Sequence, residues 1–340
     1  MTNRNAKADA FLASTQWADA HRAPLAGDAS NRKYERLTDD ALGGAVLMDA
    51  PPEKGEDVRP FIAIDKHLTG LGLSAPRILA QDIQNGFLLL EDLGDGLFAR
   101  LMEQDPSLES SLYTAAIDVL TALHKVSPPA NLPAYSPSVM TEMAVLAWRW
   151  YLPATAEENR PAEESFGKAF QAVLESSAND QSVLILRDYH AENLLWLPAR
   201  NGAARVGLLD FQDAMRGHPA YDLVSLLQDA RRDVPPHVEA KILDQYIAQT
   251  GRDADTFKAA YHLLGVQRNL RILGVFARLC LRDGKQSYVD LIPRVWGLLM
   301  RDLAHPALAP VRDLVTGSLP EPTPDLLKRI KDQCATFPKG

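Results

Sequence analysis

Residues 187–193 read Arg-Asp-Tyr-His-Ala-Glu-Asn, and residues 210–212, which read Asp-Phe-Gln, begin 17 positions after the last of them. Short apolar runs precede both segments, so we expect each acidic residue to follow a strand. Asp188 and Asn193 are five positions apart across a turn, so their side chains can face the same space. Asp210 follows the next arm of a predicted hairpin. Two carboxylates and an amide oxygen suit Mg²⁺ that shares phosphate oxygens. A carboxylate left off the metal can deprotonate an attacking hydroxyl.

The two segments resemble motifs of the protein-kinase superfamily. Residues 187–193 are similar to its catalytic loop, H-R-D-x-x-x-x-N, and residues 210–212 to its D-F-G motif. The spacing from Asp188 to His190 and Asn193 is closer to the branch of aminoglycoside and choline phosphotransferases, which reads H-G-D-x-H-x-x-N. The resemblance implies that Asp188 is the catalytic residue, while Asn193 and Asp210 hold Mg²⁺.

Two residues depart from these motifs. Leu186 stands where the branch usually has His, and Gln212 stands where protein kinases have Gly. Neither change removes the base or a metal ligand. The alternative interpretation is that Asp and Asn are ordinary turn residues at strand ends. Three such groups in the order and spacing of a kinase favour the functional interpretation.

Residues 217–223, Gly-His-Pro-Ala-Tyr-Asp-Leu, resemble the G-x-P-x-x-D-L segment of the same branch. In that branch the Asp braces the catalytic loop, so Asp222 and His190 are expected to support the loop rather than react. Asp222 follows Asp210 by only 12 positions. Protein kinases use a much longer segment there to bind peptides, so we expect a small-molecule acceptor.

Residues 27–37, GDASNRKYERL, resemble the turn that covers the nucleotide phosphates in kinases. Ser30, Asn31 and Arg32 can offer hydrogen-bond donors to phosphate from such a turn. A plain hairpin is the alternative interpretation of this segment alone.

The following strand places Met48 where kinases carry the lysine that pairs with the α and β phosphates. We therefore include Met48 among the nucleotide-binding positions and expect another cation to balance the phosphate charge. Three side chains are candidates, with Arg32 preferred: Arg32, Lys33 and Lys54.

The run FLLLEDLG at residues 87–94 resembles the kinase hinge, with main-chain groups from Glu91 to Leu93 facing the adenine. The predicted fold is α+β, a bilobal protein-kinase-like fold. Residues 1–93 form a small antiparallel-sheet N-lobe, and residues 94–340 form a mainly helical C-lobe. ATP and Mg²⁺ are expected to bind at the junction of these lobes.

Local patterns predict the elements of these lobes. Helices are expected at residues 8–20, from Phe61, and over 107–126, 139–152, 162–177 and most of 219–335. The apolar runs VLILRD and ARVGLLD, at 183–188 and 204–210, are expected to be strands separated by a hairpin-like turn.

Taken together, the motifs between about residues 25 and 300 are similar to the anomeric amino-sugar kinases of cell-wall recycling. That resemblance implies ATP-dependent phosphorylation of N-acetylmuramate and N-acetylglucosamine at the C1 hydroxyl, in peptidoglycan recycling. The absence of the strand lysine is part of the same pattern. Two other functions stay open: an aminoglycoside or choline phosphotransferase of the same fold, and a nucleotide-binding pseudokinase, which Met48 suggests.

Candidates for sugar binding lie in the helical half. Glu142, Trp150 and Tyr151 can hydrogen-bond to or stack on a sugar ring, while Arg268 and Arg271 can meet the carboxylate of a muramate. Core packing is the alternative interpretation of the aromatic residues.

Composition limits the other function classes. The 340 residues carry 36 Lys and Arg against 44 Asp and Glu, and this net charge of -8 argues against binding to a nucleic-acid backbone. Two cysteines cannot form a four-ligand zinc site, and their simplest interpretation is as thiols in a reducing compartment. With neither a secretion signal nor an apolar run of membrane-spanning length, we expect a cytoplasmic protein. The sequence leaves the oligomeric state open.

Overall fold

A computed structural model describes residues 2–25, 31–155 and 159–338 of the chain. Its strands are β1 (His21–Leu25), β2 (Lys33–Asp39), β3 (Gly43–Asp49), β4 (Ile78–Asp82), β5 (Phe87–Glu91), β6 (Val183–Ile185), β7 (Leu194–Trp196), β8 (Val206–Leu208) and β9 (Met215–Gly217). Its helices are α1 (Thr2–Ala13), α2 (Arg59–Gly70), α3 (Phe98–Gln104), α4 (Glu109–Leu123), α5 (Pro137–Ala144), α6 (Leu152–Thr155), α7 (Arg160–Ser177), α8 (Ala220–Leu227), α9 (Pro236–Thr250), α10 (Ala254–Leu281), α11 (Ile292–Leu303), α12 (Ala309–Thr316) and α13 (Pro324–Asp332). A π-helical segment, Ala147–Tyr151, precedes α6.

The chain divides into two compact units, and each unit is built from two separate stretches of the chain. The first contains Met1–Leu123 and Ala191–Ala214, and the second contains His124–His190 and Met215–Gly340. This division groups α3, α4 and the strands β7 and β8 with the N-terminal sheet. It differs from the predicted lobes, 1–93 and 94–340, which stay a prediction.

The first unit is built on an antiparallel sheet with the strand order β1-β2-β3-β5-β4. Alternate side chains of β2, β3 and β5 point to one face, where Leu37, Leu47 and Phe87 are buried against α1. The rings of Phe11 and Phe87 stack there, with centroids 5.8 Å apart. The strand-rich N-terminal half predicted from the sequence is confirmed.

The first helix differs from its predicted bounds. We expected residues 8–20, but α1 covers Thr2–Ala13. The hydroxyls of Ser14 and Thr15 donate to the carbonyls of Phe11 and Leu12 at 2.7 and 2.8 Å. Such side chains compete with backbone helix hydrogen bonds and favour a helix end, so the helical pattern breaks there.

Helix α2 confirms the helix expected from Phe61. A proline in its first turn favours its start, and its buried face includes Phe61, Ile64 and Leu68. The ring of Phe61 lies 4.6 Å from that of Phe211, which ties α2 to the segment around Asp210. One acidic residue, Asp65, shares the buried face of α2.

The strand pairing after residue 183 differs from the predicted hairpin. Strand β8 pairs with β7, whereas β6 pairs with β9. The prediction missed β7 as the partner because LLW at 194–196 is a very short apolar run directly after the polar motif. It also missed β9, since Met-Arg-Gly has no strand periodicity.

The second unit is mainly helical and is organised around the 28-residue helix α10. This helix packs against α5, α8, α11 and the π-helical segment. Gly274 makes the last contact possible, because a Cβ at this position would lie 2.3 Å from the carbonyl carbon of Leu146. The helices expected from residue 219 onward are confirmed.

Within the part of the chain that the structure covers, no helix has both the length and the hydropathy that crossing a bilayer requires.

Candidate active site

The segment that carries Asp188 is held by Asp222, in the first turn of the buried helix α8. The Asp222 carboxylate accepts the backbone N–H of Leu186 at 2.7 Å and that of Arg187 at 2.9 Å. Burial raises the pKa of Asp222 to about 7, and these two N–H donors oppose the rise. Asp222 thus joins α8 to the backbone just before Asp188, and its role in supporting a catalytic loop stays a prediction.

Arg187 has a left-handed backbone, with φ of 70°. The N–H of Asp188 donates to the carbonyl of Leu186 at 2.9 Å, so Arg187 is the central residue of a γ-type turn. The aminoglycoside branch has Gly here, which adopts positive φ without steric cost, whereas Arg does so under strain. The turn nevertheless places Asp188 directly after the two backbone N–H groups that Asp222 binds.

A second layer of hydrogen bonds fixes the same turn. The Ser225 hydroxyl donates to the carbonyl of Arg187 at 3.1 Å, and in turn accepts from Arg268 at 3.0 Å. Arg268 is buried and also donates to the Gln228 carbonyl at 3.3 Å. These contacts show that Arg268 supports the turn before Asp188, which does not favour its sequence-based interpretation as a ligand for a substrate carboxylate.

His190 is buried beside two cations. Its Nε2 lies 3.3 Å from Nη1 of Arg231, and burial with the charges of Arg231 and Arg268 holds its pKa well below the ordinary value. A neutral imidazole accepts at Nε2 from the guanidinium. This environment supports the predicted structural role of His190.

The two predicted metal ligands lie in the first unit. Asn193 ends a 3-10 helix, Ala191–Asn193, and its carbonyl accepts the N–H of Leu209 at 3.0 Å. This bond joins Asn193 to the residue just before Asp210. Asp210 itself has a left-handed backbone, with φ of 56°.

Asp210 is held by two side chains of the same unit. Gln212 donates to its Oδ1 at 2.7 Å, and Nη1 of Arg32 lies 3.9 Å from the same oxygen. The side chain of Asp210 stays about a quarter exposed, at 26%. Gln212, which stands at the Gly position of the kinase motif, thus orients the Asp210 carboxylate, a contact that the sequence did not predict.

Arg32 is fixed by a carboxylate from the loop before α2. Its Nε lies 3.0 Å from Oε2 of Glu56, and both side chains are largely buried, at 11% and 13% exposure. Glu56 also accepts the backbone N–H of Asn31 at 3.1 Å. Burial by itself lowers the pKa of Arg32, but the neighbouring Tyr34, Glu56 and Asp210 together raise it above the ordinary value. Arg32 is thus a fixed cation next to Asp210.

The donor set of Asn193 and Asp210 fits Mg²⁺. An amide oxygen and a carboxylate are hard ligands, and Mg²⁺ commonly completes its shell with water and phosphate oxygens. Among the described residues, no group of three His, Cys, Asp or Glu side chains is arranged to hold a metal by itself. Substrate oxygens would therefore have to complete the coordination.

The remaining nucleotide-binding candidates have different surroundings. Met48 is buried in β3, opposite Tyr34 and Leu88, where it brings no charge. Lys33 and Lys54 are exposed. Ser30 lies outside the described residues.

Glu91, in the predicted hinge, forms ion pairs with two arginines. Glu91 ends β5 and accepts from Arg200 at 2.8 Å and from Arg77 at 3.2 Å. Leu93 is half-buried beside Gly207. A Cβ atom added to Gly207 would lie 3.1 Å from Cδ1 of Leu93. The structure gives the hinge side chains structural partners, and the adenine contact stays a prediction.

The sugar-binding candidates separate into packed and exposed residues. Tyr151 is buried and donates its hydroxyl to the Pro320 carbonyl at 2.7 Å. Trp150 is half-buried, with its ring 6.2 Å from that of Phe337. These contacts match the packing interpretation.

The charged candidates of the same group lie elsewhere on the second unit. Glu142 is exposed on α5 and pairs with Arg149 at 3.0 Å. Arg271 is half-buried on α10, where its charge acts on the buried phenol of Tyr135. No contact among the described residues joins Glu142 to Arg271, so the structure does not group them as one site.

Glu56 contacts Arg32 and Ser225 contacts the backbone of Arg187, and neither residue was predicted from the sequence; Gln212 was noted there only as a departure from the kinase motif. Glu56 lies in the polar loop PPEKGEDVRP, where nothing distinguishes it from the neighbouring acidic residues. The one available signal was that a buried cation such as Arg32 requires a carboxylate partner.

Comparison with known proteins adds a second line of observation. Residues 21–258 match the phosphotransferase enzyme family, APH. The N-acetylmuramate/N-acetylglucosamine kinase of Caulobacter vibrioides is 42% identical over 349 residues, which cover 92% of this chain and 95% of that protein. The enzyme of the same name from Pseudomonas aeruginosa is 36% identical and covers 88% of each chain.

Among solved structures, a choline/ethanolamine kinase family protein from Mesorhizobium loti is similar, with a TM-score of 0.59. The two chains are 13% identical, and the match covers 92% of this chain and 99% of that one. At this identity the likeness shows the fold alone. The α+β protein-kinase-like fold predicted from the motifs is confirmed.

Proposed function

Because this chain belongs to the phosphotransferase enzyme family, we propose that it transfers the γ-phosphate of ATP to the anomeric C1 hydroxyl of N-acetylmuramate and N-acetylglucosamine. The observation that carries the proposal is the 42% identity to a kinase named for these two sugars, over nearly the whole of both chains. The choline-related structural neighbour shares only 13% of its residues with this chain, so it says nothing about the acceptor.

Asp188 is the residue that accepts the proton of the attacking sugar hydroxyl in this proposal. The γ-type turn at Arg187, fixed by Asp222 and Ser225, limits the freedom of the Asp188 backbone. Correct orientation of the acceptor supplies much of the acceleration in phosphoryl transfer, because the chemistry requires little covalent assistance. A rigid support for the base is consistent with this requirement.

Asn193 and Asp210 are the residues that would hold Mg²⁺. When bound, the ion offsets negative charge on the transferring phosphoryl group. Gln212 keeps the Asp210 carboxylate oriented through its 2.7 Å hydrogen bond.

Arg32 is the cation that replaces the strand lysine, and Glu56 is its positioning residue. In this proposal the guanidinium contacts nucleotide phosphate oxygens, for which its planar donors are well suited. Its position 3.9 Å from Asp210 supports this role, since Asp210 is the proposed metal ligand. Glu56 keeps the Arg32 side chain in place. The same ion pair balances the largely buried negative charge of Glu56.

A panel of acceptors tests the proposal. ATP-dependent ADP release is measured with N-acetylmuramate, N-acetylglucosamine, the methyl glycoside of N-acetylglucosamine, kanamycin and choline. We expect turnover with the two free sugars and none with the methyl glycoside, whose C1 oxygen is blocked. The product should also lose reducing-sugar reactivity, because a C1 phosphate prevents ring opening.

Turnover of the methyl glycoside would move the reaction to another hydroxyl. Preferential turnover of kanamycin or choline would replace the sugar with a different acceptor. Nucleotide binding without turnover of any acceptor would favour the pseudokinase interpretation. The Asp188→Asn variant is the negative control for contaminating kinases.

A further inference from the structure

The two cysteines of the chain are far apart in sequence but adjacent in the fold. Cys280 lies in the last turn of α10, and Cys334 follows the end of α13. The Cys334 thiol donates to the Cys280 carbonyl at 3.2 Å, and it lies close enough to the Cys280 thiol to help raise the pKa of that group.

The backbone on both sides of the pair is fixed. The N–H of Ala335 donates to the Cys280 carbonyl, and that of Phe337 donates to the Leu281 carbonyl, both at 3.0 Å. The Cys280 thiol lies 3.7 Å from the Ile330 carbonyl of α13. The segment after α13 therefore runs along the end of α10, and this contact keeps the two sulfur atoms together.

The two thiols differ in accessibility. Cys280 is buried, and burial together with the neighbouring thiol raises its pKa to about 12. Cys334 is half-buried and is thus the more accessible of the two. An oxidant from solvent therefore reaches Cys334 first, since the thiolate is the reactive form and access limits its oxidation.

We propose that Cys280 and Cys334 form a reversible intramolecular disulfide when the protein meets a hydroperoxide, and that this bond fastens the segment after α13 to α10. The Cys334 thiolate attacks the O–O bond, giving a sulfenic acid and releasing an alcohol or water. The Cys280 sulfur then displaces the hydroxyl group, which leaves as water with the Cys280 proton. Each disulfide consumes one hydroperoxide, and a dithiol reductant restores both thiols.

Such a bond changes the stability of the second unit. It closes a loop from residue 280 to residue 334, which restricts the unfolded chain. Helix α10 also carries Arg268, the support of the catalytic turn through Ser225. Oxidation should therefore stabilise the helix on which that turn depends, independently of which acceptor the enzyme uses.

Peptide mapping tests the proposal directly. The folded protein is treated with hydrogen peroxide, alkylated, and digested with trypsin without reduction. We expect residues 279–282 and 332–339 to appear as one cross-linked species, and the intact mass to fall by about 2 Da, the two hydrogens lost in disulfide formation. The melting temperature should rise by about 5 °C or more, and dithiothreitol should reverse both changes.

Cys334→Ser is the matched control, because this position is half-buried and tolerates a hydroxyl. Its oxidised form should show neither the cross-linked peptide nor the rise in melting temperature. Sulfinic acid on Cys334 without a cross-link, disulfide-linked dimers, or two alkylated thiols after peroxide would each overturn the proposal. None of these outcomes depends on catalytic activity.

Discussion

The carboxylate of Asp222 accepts the backbone N–H of Arg187, the residue before the proposed base, at 2.9 Å. With the bond to Leu186, this contact fixes a left-handed turn that the chain does not favour by itself. A buried carboxylate on α8 thus sets the backbone conformation beside Asp188.

Replacing Asp222 tests this support. In the wild type each carboxylate oxygen of Asp222 accepts one N–H group. Asp222→Asn replaces one of these oxygens with an NH2 group, which cannot accept. At least one backbone N–H then loses its partner, at a cost of about 1–3 kcal/mol. We expect kcat to fall at least tenfold with little change in the KM for ATP, and a lower free energy of unfolding. Urea unfolding and steady-state kinetics measure the two effects. Ser225→Ala should give a smaller change in the same direction, and an unchanged kcat in Asp222→Asn would show that the turn holds without it.

Asp188→Asn should abolish phosphoryl transfer while keeping the nucleotide site. Removing a general base commonly costs 10²–10⁴-fold, so we expect a drop in kcat of about that size. Nucleotide affinity from calorimetry should stay within about twofold of the wild type, because the proposed base is expected to contact the acceptor and not the nucleotide. Glu192→Gln, an exposed neighbour, is the matched control. Equal losses of turnover and nucleotide affinity would mean that Asp188 is structural.

Asp210→Asn should instead change the metal dependence of nucleotide binding. The wild type should bind ATP more tightly with Mg²⁺ than without it, and the variant should lose most of that difference. Asp213→Asn alters an exposed acidic residue three positions later and should keep the wild-type response. Calorimetric titration with and without Mg²⁺ makes the comparison, and an unchanged Mg²⁺ effect in Asp210→Asn would exclude it as a ligand.

Arg32→Met should raise the KM for ATP and lower kcat/KM by about tenfold or more, because a buried guanidinium next to Asp210 is lost. Glu56→Gln should have a milder effect on the same parameters, since Arg32 stays charged but loses its partner. The double variant should be less impaired than the sum of the single changes. Arg59→Met removes an exposed arginine from the same region as a control. Strict additivity would show that Glu56 does not act through Arg32.

Asp65 gives the first unit a pH-dependent stability. It is 2% exposed on α2, and burial with the nearby Glu91 charge raises its pKa to about 6 from an ordinary value of 3.8. A raised carboxyl pKa stabilises the fold fully below pH 3.8, and that contribution is lost as pH rises through 6. The free energy of unfolding of the wild type should therefore fall by about 2 kcal/mol relative to Asp65→Asn between pH 4.5 and 6.5, then level off. Urea unfolding across this range measures it, and a pH-independent difference would contradict the burial effect.

The sequence predicted the contiguous parts of this molecule well. The motif residues at 187–193 and 210–212 follow each other in the order and spacing of the kinase motifs. That spacing was sufficient to predict a kinase-like fold. The positioning groups were harder to predict, because Glu56 approaches Arg32 only after the loop before α2 has folded. Tyr151 shows the opposite problem. An aromatic residue near a proposed substrate region looks the same in sequence whether it contacts solvent or donates to Pro320 in the core.

The first unit is assembled from two separate stretches of chain, and this has a practical consequence for dissecting the protein. Strands β7 and β8 bond to the N-terminal stretch through Trp196 to Gly96 and through Leu208 to Ser74. A gene fragment that stops at residue 123 would encode the N-terminal sheet without β7 and β8, leaving those backbone groups and the apolar surface beneath them open to water. Truncation at that point should yield insoluble material, and a usable minimal fragment would need residues 191–214 grafted back through an artificial linker.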